Sequence, residues 1–284
     1  MTDFHTHPLL VEEMVANDPE LRRAQREIFD IQNRLQPLET FLLELDVSGL
    51  ERAVIMPIDA TTAKGCKLFS NEQIAQLCRM SDRFVGFASV DPHNPHAAQQ
   101  LEADVTRLAL RGLKLSPSMQ EFRANDRALA YPVYEAASAL NIPVVLHCGM
   151  TWAPHSKATN PMDVEDVAFD FPALKLVIAH FGWPWIDETA MLLLKHDNVF
   201  ADTSCLYFDA PWEFLRHVFT ERLPITLLER SLRHKVLFGS DYPRVEIKNM
   251  VRAVSQLGLS DGALEMIFTK NARYLLGEAE ASYK

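Results

Sequence analysis

Short apolar runs alternate with longer amphipathic segments along most of the chain. The runs are rich in Val, Ile, Leu and Phe, and amphipathic stretches of roughly 10 to 20 residues separate them. This rhythm is typical of repeated βα units, in which helices join parallel strands. The predicted strands are Asp3–His7, Arg52–Ile58, Phe84–Val90, Gly112–Ser116, Pro143–Cys148, Leu174–His180, Val199–Ser204 and Val236–Asp241. Eight strands that alternate with helices predict an α/β fold, specifically a closed (β/α)8 TIM barrel. The barrel is expected to form one domain over residues 1–284.

The segment from Leu9 to Leu50 departs from this rhythm. It is polar and helix-prone, its apolar residues recur near helical spacing, and Asn17-Asp18-Pro19-Glu20 resembles a helix start. It is also longer than an ordinary connection in an α/β unit. We therefore expect a helical insertion over residues 9–50, with an enlarged first helix as its simplest form and a lid or a subunit contact as alternatives.

Two later helices have recognisable boundary signals. Asn94-Pro95 supplies an N-cap and a first-turn proline for a helix over Ala97–Leu110. Ser260-Asp261 opens the last helix, Ala263–Leu276, and Gly277 follows as a typical C-terminal residue. These signals support the alternation of strands and helices.

The composition is that of an ordinary globular protein, with 48% apolar and 23% charged residues. The net charge of -10 argues against nucleic-acid binding, which requires a basic surface. No run approaches the ~18 apolar residues of a membrane span, and the N-terminus lacks the pattern of a secretory signal. The four cysteines are widely spaced, which favours reduced thiols. We expect a cytoplasmic protein that binds neither nucleic acid nor membrane.

The candidate chemistry begins with two histidines on the first strand. Because side chains alternate along a strand, His5 and His7 share one face while Phe4 and Thr6 share the other. Such a pair is weak evidence alone. It gains weight because barrel active sites lie at the C-terminal ends of strands, where His147, His180 and Asp241 also occur; the last of these has a helix cap as its alternative role.

A lysine lies within another predicted strand. If Leu113 and Leu115 face the surrounding helices, Lys114 faces the barrel interior. A buried ammonium requires an anion, a ligand role or a chemical modification. A direct role in the site and an interior ion pair both remain open for Lys114.

Together these residues predict a metal site. His5, His7, His147 and Asp241 form a nitrogen-and-oxygen set suited to one divalent metal, most of all Zn²⁺, with Mn²⁺ and Fe²⁺ as alternatives. A metal lowers the pKa of water, Asp241 can accept its proton, and His180 can steady the substrate oxygen.

Substrate contacts are expected from loops at the same rim. Trp152 and His155 follow the strand that carries His147 and can line the pocket. Arg244 can clamp a substrate carboxylate in a two-pronged contact, or form a salt bridge with Glu246. The two roles of Arg244 stay open at the level of the sequence.

Six motifs, in order along nearly the whole chain, resemble the amidohydrolase superfamily and its amidohydrolase 2 group. They are Asp3-Phe4-His5-Thr6-His7, Arg111-Gly112-Leu113-Lys114-Leu115-Ser116-Pro117, Val145-Leu146-His147-Cys148-Gly149, Ile178-Ala179-His180-Phe181-Gly182, Phe238-Gly239-Ser240-Asp241-Tyr242-Pro243 and Lys270-Asn271-Ala272-Arg273-Tyr274-Leu275-Leu276. The resemblance implies metal binding by His5, His7, His147 and Asp241 and acid/base or polarising chemistry by His180. It also implies one metal, although binuclear relatives carry a carboxylated lysine on the strand of Lys114.

The resemblance implies an enzyme that acts on a small molecule. Its group contains metal-dependent hydrolases, lactonases and decarboxylases similar to aminocarboxymuconate semialdehyde decarboxylase. We expect a hydrolase of an ester, lactone or amide that uses metal-activated water. The alternatives are a non-oxidative decarboxylase of an aromatic or unsaturated acid and, third, a barrel that binds metal or ligand without turnover. A homodimer, with residues 9–50 as the contact, is a further expectation.

Overall fold

The computed structural model describes residues 1–151, 153, 156–204 and 210–280. In these residues, eight parallel strands lie where the apolar runs predict them; the first is shifted by one residue, and the other seven are shorter than the predicted runs. They are Thr2–Thr6, Arg52–Ile55, Phe84–Gly86, Leu113–Leu115, Val144–Leu146, Leu176–Ile178, Val199–Asp202 and Val236–Leu237. An additional antiparallel hairpin pairs Ile58–Ala60 with Cys66–Leu68 beside the barrel rim.

The strands close into a barrel through two seams. Strands pair in chain order within two sheets, and a parallel bridge between Ala88 and Leu113 joins one edge of each. At the other edges, Phe4 donates a main-chain hydrogen bond to Phe238, and Thr6 forms a parallel bridge with Tyr242. The first and last strands are therefore neighbours, as a (β/α)8 barrel requires.

Helices surround the barrel and connect its strands. The α-helices are Glu12–Val15, Pro19–Arg23, Leu38–Val47, Thr61–Lys64, Asn71–Met80, Ala97–Leu108, Tyr131–Ala139, Met162–Asp170, Ile186–Lys195, Pro211–Arg216, Ile225–Leu227, Ile247–Ser255, Asp261–Glu265 and Asn271–Leu275. Turns of 3₁₀ or π type are Ala24–Ile28, Ser156–Thr159, Ala179–Gly182, His217–Arg222, Leu228–Leu232 and Met266–Lys270. None of the described helices is long and apolar enough to cross a membrane.

The predicted helix boundaries are partly correct. Ser260 caps the helix Asp261–Glu265 by accepting a hydrogen bond from the main chain of Ala263, as predicted for the start of the C-terminal helical segment. The helix that begins at Ala97 has His96 as its N-cap, and Asn94 instead accepts a hydrogen bond from the main chain of His96. The prediction of Asn94 as N-cap was therefore wrong, because its side chain closes a turn two residues before the helix.

The core has two layers. Inside the barrel lie buried apolar side chains from successive strands, among them Phe4, Val145 and Phe200. A larger layer between strands and helices contains Leu113 and Leu115. Alternation along the strands separates the two layers, because neighbouring side chains point to opposite sides of the sheet.

Residues 9–50 contain two short helices, a π turn and the longer helix Leu38–Val47, with the non-helical stretch 29–37 between them. Asp18 caps Pro19–Arg23 by accepting a hydrogen bond from Leu21, at the predicted helix start. Residues 27–31 reach the C-terminal rim of the barrel and form one wall of its cavity. Part of this segment thus has the position of a lid.

Candidate metal centre

The first strand brings two imidazoles to the barrel axis. Its register against Arg52–Ile55 shifts between Asp3 and Thr6, which marks a β-bulge. The bulge lets both Phe4 and His5 face the barrel interior. Phe4 packs edge-to-face on Phe87, and His5 contacts Asp202 at the end of another strand. The expectation that Phe4 faces away from the histidines was wrong, because the extra residue of a bulge breaks strict alternation.

His5, His7 and Asp241 form a compact group of candidate ligands. Nε2 of His5 lies 3.7 Å and Nε2 of His7 lies 3.9 Å from Oδ1 of Asp241. Their ligand atoms all lie within 4.8 Å of one another, and all three residues are buried. The Nδ1 atoms are engaged elsewhere, His5 with Asp202 at 2.8 Å and His7 with the Met56 carbonyl at 2.8 Å. This outer support leaves both Nε2 atoms directed at the same space.

Asp241 carries an unsatisfied buried atom. Its Oδ2 is buried without a hydrogen-bond partner, and Nε of Arg244 is 3.5 Å away. Burial raises the pKa of Asp241 to about 7, although Arg244 and Lys114 oppose this rise. A bound cation stabilises a buried carboxylate that lacks enough hydrogen bonds and opposite charges to offset its burial. The residues present therefore fit a divalent metal.

Asp241 and His180 are held by unusual backbone geometry. Both have left-handed φ angles, 63° for Asp241 and 58° for His180. In the strand before His180, Val177 faces the barrel interior, so strict alternation would turn His180 outward. The left-handed turn brings its imidazole back to the cavity. Strict alternation along the strand would therefore have excluded His180 from the site.

His147 lies beside His180 rather than within the compact group. Its Nδ1 is 3.2 Å from Nε2 of His180, and its Nε2 is 3.3 Å from the carbonyl of Met150. Among the described residues, neither three-residue group of close ligand atoms includes His147; one is His5, His7 and Asp241, and the other is His5, His180 and Asp202. His147 lines the same cavity, so its role as a ligand stays a prediction.

Lys114 points into the barrel, on the side opposite Leu113 and Leu115. The Nζ atom of Lys114 lies 3.3 Å from Nε2 of His5, and Lys114 is 1% exposed. Burial lowers the pKa of Lys114 to about 8, while the charges of Asp202 and Asp241 act in the opposite direction. Lys114 thus lies next to the proposed ligands, where it can contact either an anion bound at the metal site or a substrate.

The imidazoles of the site are held neutral. Burial lowers the pKa of His5, His7 and His180 well below the usual value. Burial, followed by the charge of Lys114, lowers the pKa of His147 to about 3. Neutral imidazole is the form that binds a metal, so desolvation prepares these residues for ligation.

Asp202 is a site residue that the sequence reasoning missed. It ends the strand Val199–Asp202, is fully buried, and accepts hydrogen bonds from His5, the main chain of His180 and Ser204. The signal was present: an acid at the end of a predicted strand, two residues after the inward-facing Phe200. The same test that selected Asp241 would have selected Asp202.

The cavity above the group has a volume of about 420 Å³, a size suited to a small organic molecule. Its wall includes Phe29 from the 9–50 segment, whose ring centroid is 5.7 Å from that of His7. Arg244 also lines it and donates a hydrogen bond to the carbonyl of Phe29 at 2.9 Å. Arg244 forms its salt bridge with Asp241 rather than with Glu246. The predicted contacts Trp152 and His155 lie outside the described residues.

A (β/α)8 barrel with a buried His/Asp group at its C-terminal rim is the architecture of a metal-dependent barrel enzyme. The family model described as amidohydrolase, of the amidohydrolase 2 group, matches residues 2–277. The chain belongs to this family of metal-dependent enzymes. No curated protein matches the sequence.

Solved structures share the fold. An uncharacterised TIM-barrel protein from Bordetella bronchiseptica has a TM-score of 0.75 and 22% identity, with 98% of each chain covered. The 2,6-dihydroxybenzoate decarboxylase from Rhizobium has a TM-score of 0.70 and 17% identity, covering 97% of this chain and 98% of that one. A putative 2-pyrone-4,6-dicarboxylic acid hydrolase from Pseudomonas putida has a TM-score of 0.67 and 18% identity, covering 98% and 97%. At these identities the likeness shows the fold alone.

Proposed function

We propose that the protein is a metal-dependent hydrolase of a small organic substrate, acting on an ester, lactone or amide bond. The observation that carries this proposal is the convergence of Nε2 of His5 and Nε2 of His7 on Oδ1 of the buried Asp241 carboxylate, whose Oδ2 accepts no hydrogen bond. Membership of the amidohydrolase family supports the same reaction class.

The metal proposed for this site is Zn²⁺, with Mn²⁺ and Fe²⁺ as alternatives, because imidazole and carboxylate ligands suit all three. His5, His7 and Asp241 would hold it, with His147 as the fourth ligand. A divalent metal bound there supplies Lewis acidity and lowers the pKa of water.

The protein's own groups then manage protons and orientation. Asp241 is proposed to accept a proton from the attacking water, since its carboxylate faces the cavity. His180 is proposed to exchange a proton with the substrate. The segment at Phe29 covers one side of the cavity and limits the entry of water.

Two cationic side chains suggest which substrates bind. Lys114 and Arg244 both line the cavity and can contact a substrate carboxylate, in addition to the contacts proposed for Trp152 and His155. The same feature favours a second candidate function, the decarboxylation of an aromatic or unsaturated acid. The fold neighbours include proteins named as decarboxylases and proteins named as putative hydrolases.

The test is a substrate screen on protein of measured metal content. Lactones, esters, amides and aromatic acids are offered, and acid release and CO₂ release are followed in parallel. Acid release that a chelator abolishes and added metal restores supports the hydrolase. Chelator-sensitive CO₂ release supports the decarboxylase instead, and turnover that persists without metal overturns both.

A further inference from the structure

Asp202 sits at the centre of a buried hydrogen-bond network behind the candidate ligands. Its Oδ2 lies 2.8 Å from Nδ1 of His5. Its Oδ1 accepts hydrogen bonds from the main-chain N–H of His180 at 2.9 Å and of Ser204 at 3.0 Å, and from the Ser204 hydroxyl at 2.5 Å. Asp202 and Ser204 are both fully buried.

The network fixes the direction of each hydrogen bond. A main-chain N–H can only donate, so Asp202 is an acceptor at Oδ1. An ionised carboxylate offers about four acceptor sites, and four groups approach it here. His5 is therefore the donor at Oδ2, which places its proton on Nδ1.

The other side of the His5 ring gives independent support. Lys114 places Nζ 3.3 Å from Nε2 of His5, and a lysine ammonium has donors but no acceptor. Nε2 must then present its lone pair. Both neighbours of the ring require the same tautomer, in which Nε2 is free to bind a metal.

The hydroxyl of Ser204 connects this network to His180. Ser204 gives its single hydroxyl proton to Asp202, and its oxygen lies 2.7 Å from Nδ1 of His180 and 3.2 Å from Nδ1 of His5. On the other side of the His180 ring, Nε2 lies 3.2 Å from Nδ1 of His147, whose Nε2 lies 3.3 Å from the Met150 carbonyl. The Ser204 oxygen favours a proton on Nδ1 of His180 and the His147 contact favours one on Nε2, so the network assigns the tautomer of His5 alone.

We propose that Asp202 is a positioning residue that sets the tautomer of His5. The carboxylate thereby prepares Nε2 of His5 as a metal ligand. The proposal rests on the proposed metal site.

The test is Asp202→Asn. An asparagine keeps its oxygen toward the three donors at Oδ1, so its NH₂ group faces His5. Nδ1 of His5 must then accept, which moves the ring proton to Nε2, where it blocks ligation. The matched control is Asp104→Asn, a buried aspartate that is bonded to Asn71 and Arg107 and does not line the cavity.

Two readouts are measured. Imidazole ¹⁵N NMR of metal-free, histidine-labelled protein reports the tautomers, with His5 and His180 assigned from His5→Gln and His180→Gln variants. We expect protonated Nδ1 on His5 in the wild type and protonated Nε2 on His5 in Asp202→Asn. Competition with a chelator reports metal affinity, which we expect to fall by about 10- to 100-fold in Asp202→Asn and not in Asp104→Asn.

Protonated Nε2 on His5 in the wild type, or wild-type metal affinity in Asp202→Asn, overturns the proposal. The tautomers are read without metal, so they stay informative if the proposed function fails. A wild-type protein that binds no metal while showing the expected tautomers contradicts the proposed function and leaves the network assignment intact.

Discussion

Arg244 donates a hydrogen bond from Nη2 to the main-chain carbonyl of Phe29 at 2.9 Å. This contact joins the loop after the last strand to the segment inserted after the first one. Arg244 and Phe29 are 215 residues apart in the chain, yet both line the same cavity. The contact therefore ties the wall that covers the site to the loop that presents Asp241.

Substitution of Arg244 by lysine is expected to weaken substrate binding more than turnover. Lysine keeps the charge but lacks the planar fork that holds Phe29 and can meet a carboxylate. We predict a KM about 10-fold higher for carboxylate substrates, with a smaller change in kcat, measured by steady-state kinetics. Arg26→Lys, an exposed position on the same segment that does not line the cavity, is the control. An unchanged KM in Arg244→Lys would remove Arg244 from the substrate contacts.

Gly239 is required for the close approach of the first and last strands. A Cβ at this position would lie 2.9 Å from Cβ of His5, closer than such atoms are found in proteins. Gly239→Ala is expected to displace His5 and to cost about 1–3 kcal/mol of unfolding free energy.

The same substitution should weaken metal binding about 10-fold, because a shifted ligand loses its geometry. Denaturant unfolding and chelator competition measure the two effects. Gly262→Ala is the control, since a Cβ there meets only the Ser260 hydroxyl at 3.9 Å. Equal behaviour of the two variants would show that the strand approach does not matter for the site.

Lys114→Met separates the roles that the sequence left open for this residue. If Lys114 is a substrate contact, removal of a positive charge 3.3 Å from His5 should raise metal affinity several-fold and raise KM for anionic substrates. If it is carboxylated and binds metal, affinity should fall. Chelator competition measures the sign of the change, and we predict an increase.

Metal binding should stabilise the fold. A ligand at 100 times its Kd adds about 2.7 kcal/mol, which corresponds to a rise in Tm of roughly 5 °C for a chain of this size. Differential scanning calorimetry with and without Zn²⁺ measures the shift. The His7→Ala variant should lose most of it, and a full shift in that variant would exclude His7 as a ligand.

The barrel and most of its site follow from rules that hold locally. Apolar runs place all eight strands, and strand ends locate His5, His7, His147 and Asp241 at one rim. These inferences succeed because a strand's core-facing pattern and its parallel direction are properties of short segments.

The remainder depends on backbone geometry that composition does not encode. The bulge after Asp3 turns both Phe4 and His5 inward, and the left-handed turn at His180 reverses its expected direction. The lid position of Phe29 depends on contacts far apart in the chain. Asp202 differs from these residues, because its position near the end of a predicted strand is visible in the sequence.

The most direct test of the metal centre is the metal affinity of Asp241→Asn, measured by competition with a chelator. The amide of asparagine lacks the charge that holds a cation, so affinity should fall at least 10-fold relative to the wild type. His96→Ala, at an exposed histidine on a rim loop, should bind metal like the wild type. Wild-type affinity in Asp241→Asn would contradict the account, because the carboxylate on which His5 and His7 converge would then have no part in the site.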